Sequence, residues 1–532
     1  MLRDFFYTLP QYLIVCLALC ASILCWRLWA FTIKPYVWPS LPRELPYWTP
    51  FIGHSISFFK NSERLIERGL NHLGRTYEPF ALQLPGRKLY IITAPKDITA
   101  VFSNTQGLTF DGNLKQLLAN FGVTRQAFDK AWHDPQPGDW CYIPNNPFNP
   151  AQLNLIHFVE ESYRKQLLPG EHMDRLSEAF INPLLGILKR DSLEFYLGPT
   201  DDSAGIRSEL YDENVEHPSR LTSLYSLCRV YIVEATTRSL FGDHLHEIEP
   251  NIVELMSKFN ENAWMVVFGY PKLLSNAVSG VKGKIMTALA KFIQLPKEKR
   301  SQQAWVVENI LAAMDLVDID IESRASMLLM SFWAAISNEY NTVFWIISYL
   351  LYDSRLFEEV KNETEAAWRS QKLDIKFLCA NCPHLESVLN ETLRIKNGAG
   401  ALRVVVEETQ VGTKMLQAGN SILIPFRQLH SNRNVWGPSV DDFDPYRFLK
   451  QKSLARHPSF RPFGGGGTLC PGRTLAKEQV FGFIAILLHR FSIKLAGSTT
   501  QQPFPRLNDL SPSLGIGGPV KGTDVMVHLA EA

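Results

Sequence analysis

The sequence predicts a mainly α fold with a small β region (α+β), entered through an N-terminal transmembrane helix. Three observations predict it. From residue 153 to about residue 378, apolar residues recur at helical spacing in segments divided by Pro169, Pro183, Pro199 and Pro218. Strand-like runs are few and short: 82–92 around a Pro-Gly turn, 403–411, 421–425 and 520–529. Residues 11–33 are almost continuously apolar with Arg27 as their only charge, and about 20 such residues suffice to cross a bilayer.

In chain order, the anchor (1–34) comes first. Trp26-Arg27-Leu28-Trp29 offers no small-residue cleavage site, so the apolar run does not read as a signal peptide. Trp26, Trp29 and Trp38, with Lys34 and Arg43, form an interfacial belt where the chain emerges. Positive residues after the span favour a cytoplasmic catalytic side, a bias that Arg3 reduces. Residues 35–50 carry five prolines, which predicts a stiff, non-helical linker. Residues 51–532 then make one catalytic domain.

The 532 residues are 46% hydrophobic, ample for a large core, and the net charge is +1. Without a basic stripe, a nucleic-acid partner is excluded as the main function. Eight cysteines are scattered along the chain, which suggests a reducing compartment rather than a disulfide framework. Cys379-Ala-Asn-Cys382 has redox or zinc spacing but lacks a second ligand pair. Residues 129–152 are polar, rich in Pro and Asn, without periodicity, and read as a surface connection. Residues 323–351 read as one long apolar helix, interrupted midway by Ser337, Asn338, Glu339 and Asn341. Buried polar groups need partners, which points to a functional centre there.

The chemistry-bearing run is Phe463-Gly-Gly-Gly-Gly-Thr-Leu-Cys-Pro-Gly-Arg473. Its glycines allow backbone to approach a flat macrocycle, and the helix that follows would favour a thiolate at its start, as a haem iron needs. No Gly-Lys-Ser/Thr follows, so a nucleotide loop does not fit; an inert structural cysteine does, and the run alone does not decide. Upstream, Glu391 and Arg394 share one helix face at i,i+3. Between them and the loop stands Phe443-Asp-Pro-Tyr-Arg447-Phe448, which supplies a second arginine.

Taken in this order, these motifs resemble those of the cytochrome P450 family over essentially the whole chain. Membership implies many helices with a small sheet at one end, haem b with Cys470 as its axial thiolate, and a buried Glu391/Arg394/Arg447 network that fixes the segment before the loop. It also implies cofactor contacts from Phe463, Gly466, Thr468 and Gly472. Most members place an acid and a threonine on the distal helix for proton delivery. Here that alignment gives Ser337 and Asn338, and an amide cannot titrate. The family's propionate-binding arginine before the cysteine is Thr468 in this chain, which leaves Arg403 to bind a propionate. The Trp-x-x-x-Arg helix has only His172 and Arg175 as approximate counterparts, and they read as surface residues.

Both departures resemble the branch of cholesterol 7-alpha-hydroxylase, sterol 12-alpha-hydroxylase and prostacyclin synthase, and fungal biosynthetic-cluster enzymes are comparable. The resemblance implies a membrane-bound monooxygenase of the endoplasmic reticulum, single-pass with its catalytic domain in the cytosol. It would use O2 and a separate NADPH-cytochrome P450 reductase, docked near Lys452, Arg456, Arg461 and Lys477. The substrate would be a lipophilic small molecule of sterol, terpenoid or secondary-metabolite type. An oxygen-independent isomerase or dehydratase, motivated by Ser337 and Asn338, is the alternative; a haem scaffold without turnover is a third reading.

Overall fold

The computed structural model describes residues 11–146, 148–197, 219–509 and 513–532. The apolar N-terminal run forms α1 (Gln11–Leu28), continued by a π-helical turn at Trp29–Ile33 and a short helix at Lys34–Val37. The segment Leu13–Val37 has a mean hydropathy of 2.1 and its most apolar window is not packed inside the protein. It fits a membrane anchor.

The proline-rich segment departs from the non-helical spacer expected of it. Pro35 lies in the first turn of the Lys34–Val37 helix, where a missing N–H is not needed. Beyond it, β1 (Arg43–Glu44) pairs in parallel with β2 (Phe80–Leu84). The Glu44 carboxylate takes Lys88 at 2.6 Å and Lys34 at 3.1 Å, and the Met415 N–H donates to the Ser40 carbonyl at 2.7 Å. These contacts dock the segment on the sheet.

β2 and β3 (Arg87–Ile91) make the hairpin predicted from Pro85-Gly86. Further strands are β4 (Leu108–Thr109), β5 (Arg220–Ser223), β6 (Gly400–Val405), β7 (Ser421–Pro425), β8 (Phe491–Leu495) and β9 (Met526–Glu531). They form a six-stranded sheet in the order β1-β2-β3-β7-β6-β4 and a three-stranded sheet in the order β8-β9-β5. The run expected at 403–411 divides into β6 and a separate small hairpin of Thr409–Val411 with Lys414–Leu416. The last strand starts at Met526 instead of 520, because Gly522 turns the chain at φ +81° and the Asp524 carboxylate is held by the Ser223 hydroxyl and the Tyr225 N–H.

The site is positioned by α2 (Glu171–Ile187), α3 (Leu224–Phe241), α4 (Ile321–Ile336), α5 (Glu339–Tyr352), α6 (Pro383–Lys396) and α7 (Arg473–Arg490). α2, α3, α5 and α7 pack on one another and bury Phe180, Tyr231, Phe344, Ile347, Phe483 and Ile484. Pro183, expected to end a helix, lies inside α2. Burial of Phe180, Ile181 and Leu184 on either side outweighs the one backbone bond that proline removes. Pro169 does separate two helices, while Pro199 and Pro218 lie outside the described residues. The helix expected over 323–351 is two helices, α4 and α5, parted at Ser337-Asn338.

Candidate active site

The cysteine loop closes on itself. The Cys470 N–H donates to the Phe463 carbonyl at 2.9 Å. Gly466 adopts φ +60°, and a Cβ there would stand 2.9 Å from the Phe102 carbonyl oxygen, so a side chain is excluded on that face. Gly467 is the opposite case: a Cβ there would meet nothing within 4 Å, so the loop borders open space. The backbone N–H groups of Gly472 and Arg473 are directed at the Cys470 sulfur, at the positive end of α7. Burial pushes the thiol above its ordinary value, while these N–H groups and the Arg473 charge act against it.

Behind the loop, Glu391, Arg394 and Arg447 are brought together and shut off from solvent. Arg394 grips Glu391 with two bonds, Nε to Oε2 at 2.8 Å and Nη2 to Oε1 at 2.7 Å. Arg447 Nε reaches the same carboxylate at 3.1 and 3.2 Å. The remaining guanidinium donors go to carbonyls of the chain between α6 and the loop: His430 and Val440 from Arg394, Trp436 and Ser439 from Arg447, with His430 and Trp436 each closing a short helix. Every strong donor is used, which is the condition under which a buried ion network holds one geometry.

The α4–α5 junction faces open space as well, since Ala334 is exposed although Phe332 and Ile336 beside it are fully buried. Asn338 does not continue the helix; its Oδ1 accepts the Ile516 N–H at 2.8 Å and its Nδ2 donates to the Ser337 hydroxyl at 3.1 Å. Asn341 Nδ2 donates to the Ile516 carbonyl at 2.9 Å and Trp345 Nε1 to the Gly517 carbonyl at 2.7 Å. Three side chains of the junction and α5 thereby stitch the C-terminal loop to the site. Gly515 has to be glycine, because a Cβ there would overlap Asn338 Oδ1 at 1.8 Å. Next to this seam Glu339 is buried, with no partner for Oε2. Burial pushes its carboxyl up to about 8, so it carries a proton at neutral pH.

The cytochrome P450 family model matches residues 219–515, which contain the network, the junction and the cysteine loop. The chain belongs to the cytochrome P450 family. It is 22% identical over 483 residues to the cytochrome P450 monooxygenase poxD of Penicillium oxalicum, covering 88% of this chain and 90% of that one. It is 21% identical to cytochrome P450 7A1 of Oryctolagus cuniculus, with 95% and 96% covered. In fold it matches a retinoic acid-bound cyanobacterial CYP120A1 with a TM-score of 0.64 at 17% identity, over 92% of this chain and 99% of that one. The protein is a P450 monooxygenase.

The residues of this P450 suit a haem. A thiol faced by backbone N–H groups stands in a loop that borders open space, and cations without carboxylate partners among the described residues lie beside it. Arg403 is buried and donates from Nη2 to Thr468 Oγ1 at 2.6 Å and from Nη1 to the Leu402 carbonyl at 2.7 Å, with no ion pair to a carboxylate among the described residues. Arg461 was grouped in the sequence with an outer docking set, but it packs against the loop. Its guanidinium lies 5.7 Å from the Phe102 ring centroid, beside that of Arg403 at 5.3 Å. Its place directly before Pro462-Phe463 was the available signal. Lys477 is engaged with Glu386 at 3.1 Å, whereas Lys452 and Arg456 are exposed. His172 stacks on Trp305 and Arg175 pairs with Glu171 at the surface. Cys379 and Cys382 are thiols that burial pushes up to about 12, which makes them poor nucleophiles.

Proposed function

We propose that this P450 is a membrane-anchored haem-thiolate monooxygenase that hydroxylates, epoxidises or oxidatively rearranges a lipophilic small molecule. The observation that carries the reading is Cys470: a sulfur that faces the Gly472 and Arg473 N–H groups in a loop that borders open space, preceded by Arg461, which His430 links to the Glu391 network. Cys470 is the thiolate ligand, Phe463, Gly466, Thr468 and Gly472 shape the loop around it, and Arg403 with Arg461 holds the propionates. Haem b, when bound there, supplies the oxygen-activating redox chemistry.

The rest falls to side chains of the α4–α5 junction. Ala334 keeps the oxygen pocket open. Ser337 and Asn338 border it, and Asn338 pins the C-terminal loop beside it. Asn338 cannot titrate, so the proton-holding group at the junction is the Glu339 carboxyl. Electrons come from a separate NADPH-cytochrome P450 reductase, for which exposed Lys452 and Arg456 are contacts. Residues 1–34 anchor the enzyme in the endoplasmic reticulum membrane, residues 35–50 set its orientation, and residues 51–532 act in the cytosol. The sequence resemblance to sterol hydroxylases and to fungal biosynthetic-cluster enzymes supports a secondary-metabolite, terpenoid or sterol substrate.

The test is an accurate-mass comparison of metabolites between the source organism and a deletion of this gene. A lost product one oxygen heavier than the accumulated precursor supports hydroxylation or epoxidation and names the substrate. A lost product of the same formula as the precursor points to isomerisation instead.

A further inference from the structure

The segment between the helices Arg125–Ala131 and Leu155–Leu167 takes no part in the site above. Over residues 133–141 it brings His133, Asp139 and Cys141 together, with a ring nitrogen, a carboxylate oxygen and the thiol sulfur all within 4.8 Å of one another. Among the described residues this is the one place where three such donors converge. We propose that His133, Asp139 and Cys141 bind a zinc ion, with water as the fourth ligand, and that the ion fixes the fold of this segment.

The donor set selects the ion. Imidazole and thiolate favour zinc over magnesium or calcium, and a carboxylate is a common third ligand. With zinc–ligand lengths of about 2.0–2.3 Å, tetrahedral geometry puts neighbouring donors about 3.3–3.6 Å apart. His133 Nε2 and Asp139 Oδ2 stand 2.9 Å apart, so one edge of that tetrahedron is nearly in place. The sulfur lies within 4.8 Å of both, so bringing it in takes a side-chain shift of at most about 1.5 Å.

The ligands are also held from outside. The Gln136 N–H donates to Asp139 Oδ2 at 2.9 Å, and the Asp139 N–H returns to the Gln136 carbonyl at 2.9 Å. Trp140 stacks on the His133 ring at 5.9 Å. Supports of this kind orient metal ligands. Cys141 is a free thiol, and His133 is exposed, so an ion has access from solvent. The Cys379/Cys382 pair offers no comparable set: Cys382 is buried, with its thiol donated to the Glu363 carbonyl at 3.5 Å.

Occupancy has a structural consequence. Asn154 Nδ2 donates to Asp134 Oδ1 at 2.7 Å, which ties the turn to the start of the next helix. The same segment supplies Phe148, Asn149 and Leu153 to a cleft of about 590 Å³ that Phe158 and Trp305 also line. The ion stiffens one wall of that cleft.

The experiment uses tag-free, haem-loaded full-length protein given a slight excess of zinc, freed of unbound metal, and analysed for zinc and iron per chain. One zinc per wild-type chain is expected, with His133→Ala and Cys141→Ser each lowering retained zinc by more than about tenfold at unchanged iron content. X-ray absorption at the zinc edge of the wild type should show one sulfur, with nitrogen and oxygen completing the shell. Failure of the wild type to retain zinc, equal retention by the variants, or a shell without sulfur each overturns the site. If a variant loses iron through misfolding, the wild-type absorption spectrum still decides.

Discussion

Arg403 Nη2 donates to Thr468 Oγ1 at 2.6 Å, which ties β6 to the cysteine loop at the position where the P450 pattern has an arginine. Burial pulls the Arg403 pKa below its ordinary value, and no carboxylate offsets that burial among the described residues. A buried guanidinium needs an anion, and under the proposed function that anion is a haem propionate.

Arg403→Leu should therefore lower the haem-to-protein ratio and speed haem loss by about tenfold or more, the equivalent of a charge-assisted bond of about 1.5–3 kcal/mol. Thr468→Val, which removes only the bridge, should have a smaller effect. Arg461→Leu should resemble Arg403→Leu, and the double variant should be worse than either. Haem transfer to an excess of apomyoglobin measures all four.

Glu391→Gln should be among the most damaging single changes in the chain. It leaves Arg394 and Arg447 buried around a neutral amide, and breaking a buried pair costs about 3–5 kcal/mol. The expected result is little or no haem-loaded protein and a sharply lower melting temperature. A variant as stable as wild type would mean that the network contributes nothing to the fold.

Glu339 gives a pH dependence. Burial pushes its carboxyl up to about 8 in the folded protein, against about 4.5 for the group in water. Between these values the unfolded chain has released the proton while the folded chain keeps it. Stability therefore falls as pH rises through this window, by about 1.4 kcal/mol per unit for this group alone. Glu339→Gln removes that slope and should melt higher than wild type at pH 8 but not at pH 4.5. Parallel melting curves of the two proteins across the window are the check.

Asn338→Ala leaves the Ile516 N–H without its acceptor, a loss of about 1–3 kcal/mol. It also removes one tie on the loop, which Asn341, Trp345 and the backbone bonds Gly398 N–H to Gly515 and Gly517 N–H to Lys396 still hold. A lower melting temperature is expected, together with a broader product distribution once the substrate is known. Unchanged products at lowered stability would confine Asn338 to a structural role.

The sequence exposed what local patterns encode. Ser421–Pro425 was expected as a strand over the same residues, and the helical segment that the sequence marks from Pro383 to Ile395 ends one residue later, at Lys396. The cysteine loop was legible because its glycines, proline and thiol are contiguous. Contacts distant in sequence were not legible. The break after Ile336 follows from a bond to Ile516, which no local window contains. Pro183 stays helical because its neighbours are buried against other helices. The proline-rich segment is ordered by pairing with β2. For Arg461 the sequence offered only its place directly before Pro462-Phe463; the packing against Phe102 comes from a residue far away in sequence.

Anchoring is checked by removing residues 1–33, which contain the exposed helix α1. The shortened protein should move from the membrane pellet to the soluble fraction and keep its haem, because the Glu391 network and the cysteine loop lie outside the removed segment. Residual membrane binding in a high-salt wash would place a second apolar contact on the globular part, where Phe51, Ile56 and Leu273 are exposed.

The most direct measurement is the reduced carbon-monoxide difference spectrum of the purified protein beside its Cys470→Ala variant. The wild type should give the band of a thiolate-ligated haem, and the variant should lose both the band and NADPH-dependent turnover. A variant that keeps the band, or turns over substrate at the wild-type rate, contradicts Cys470 as the ligand and with it the assignment of the site.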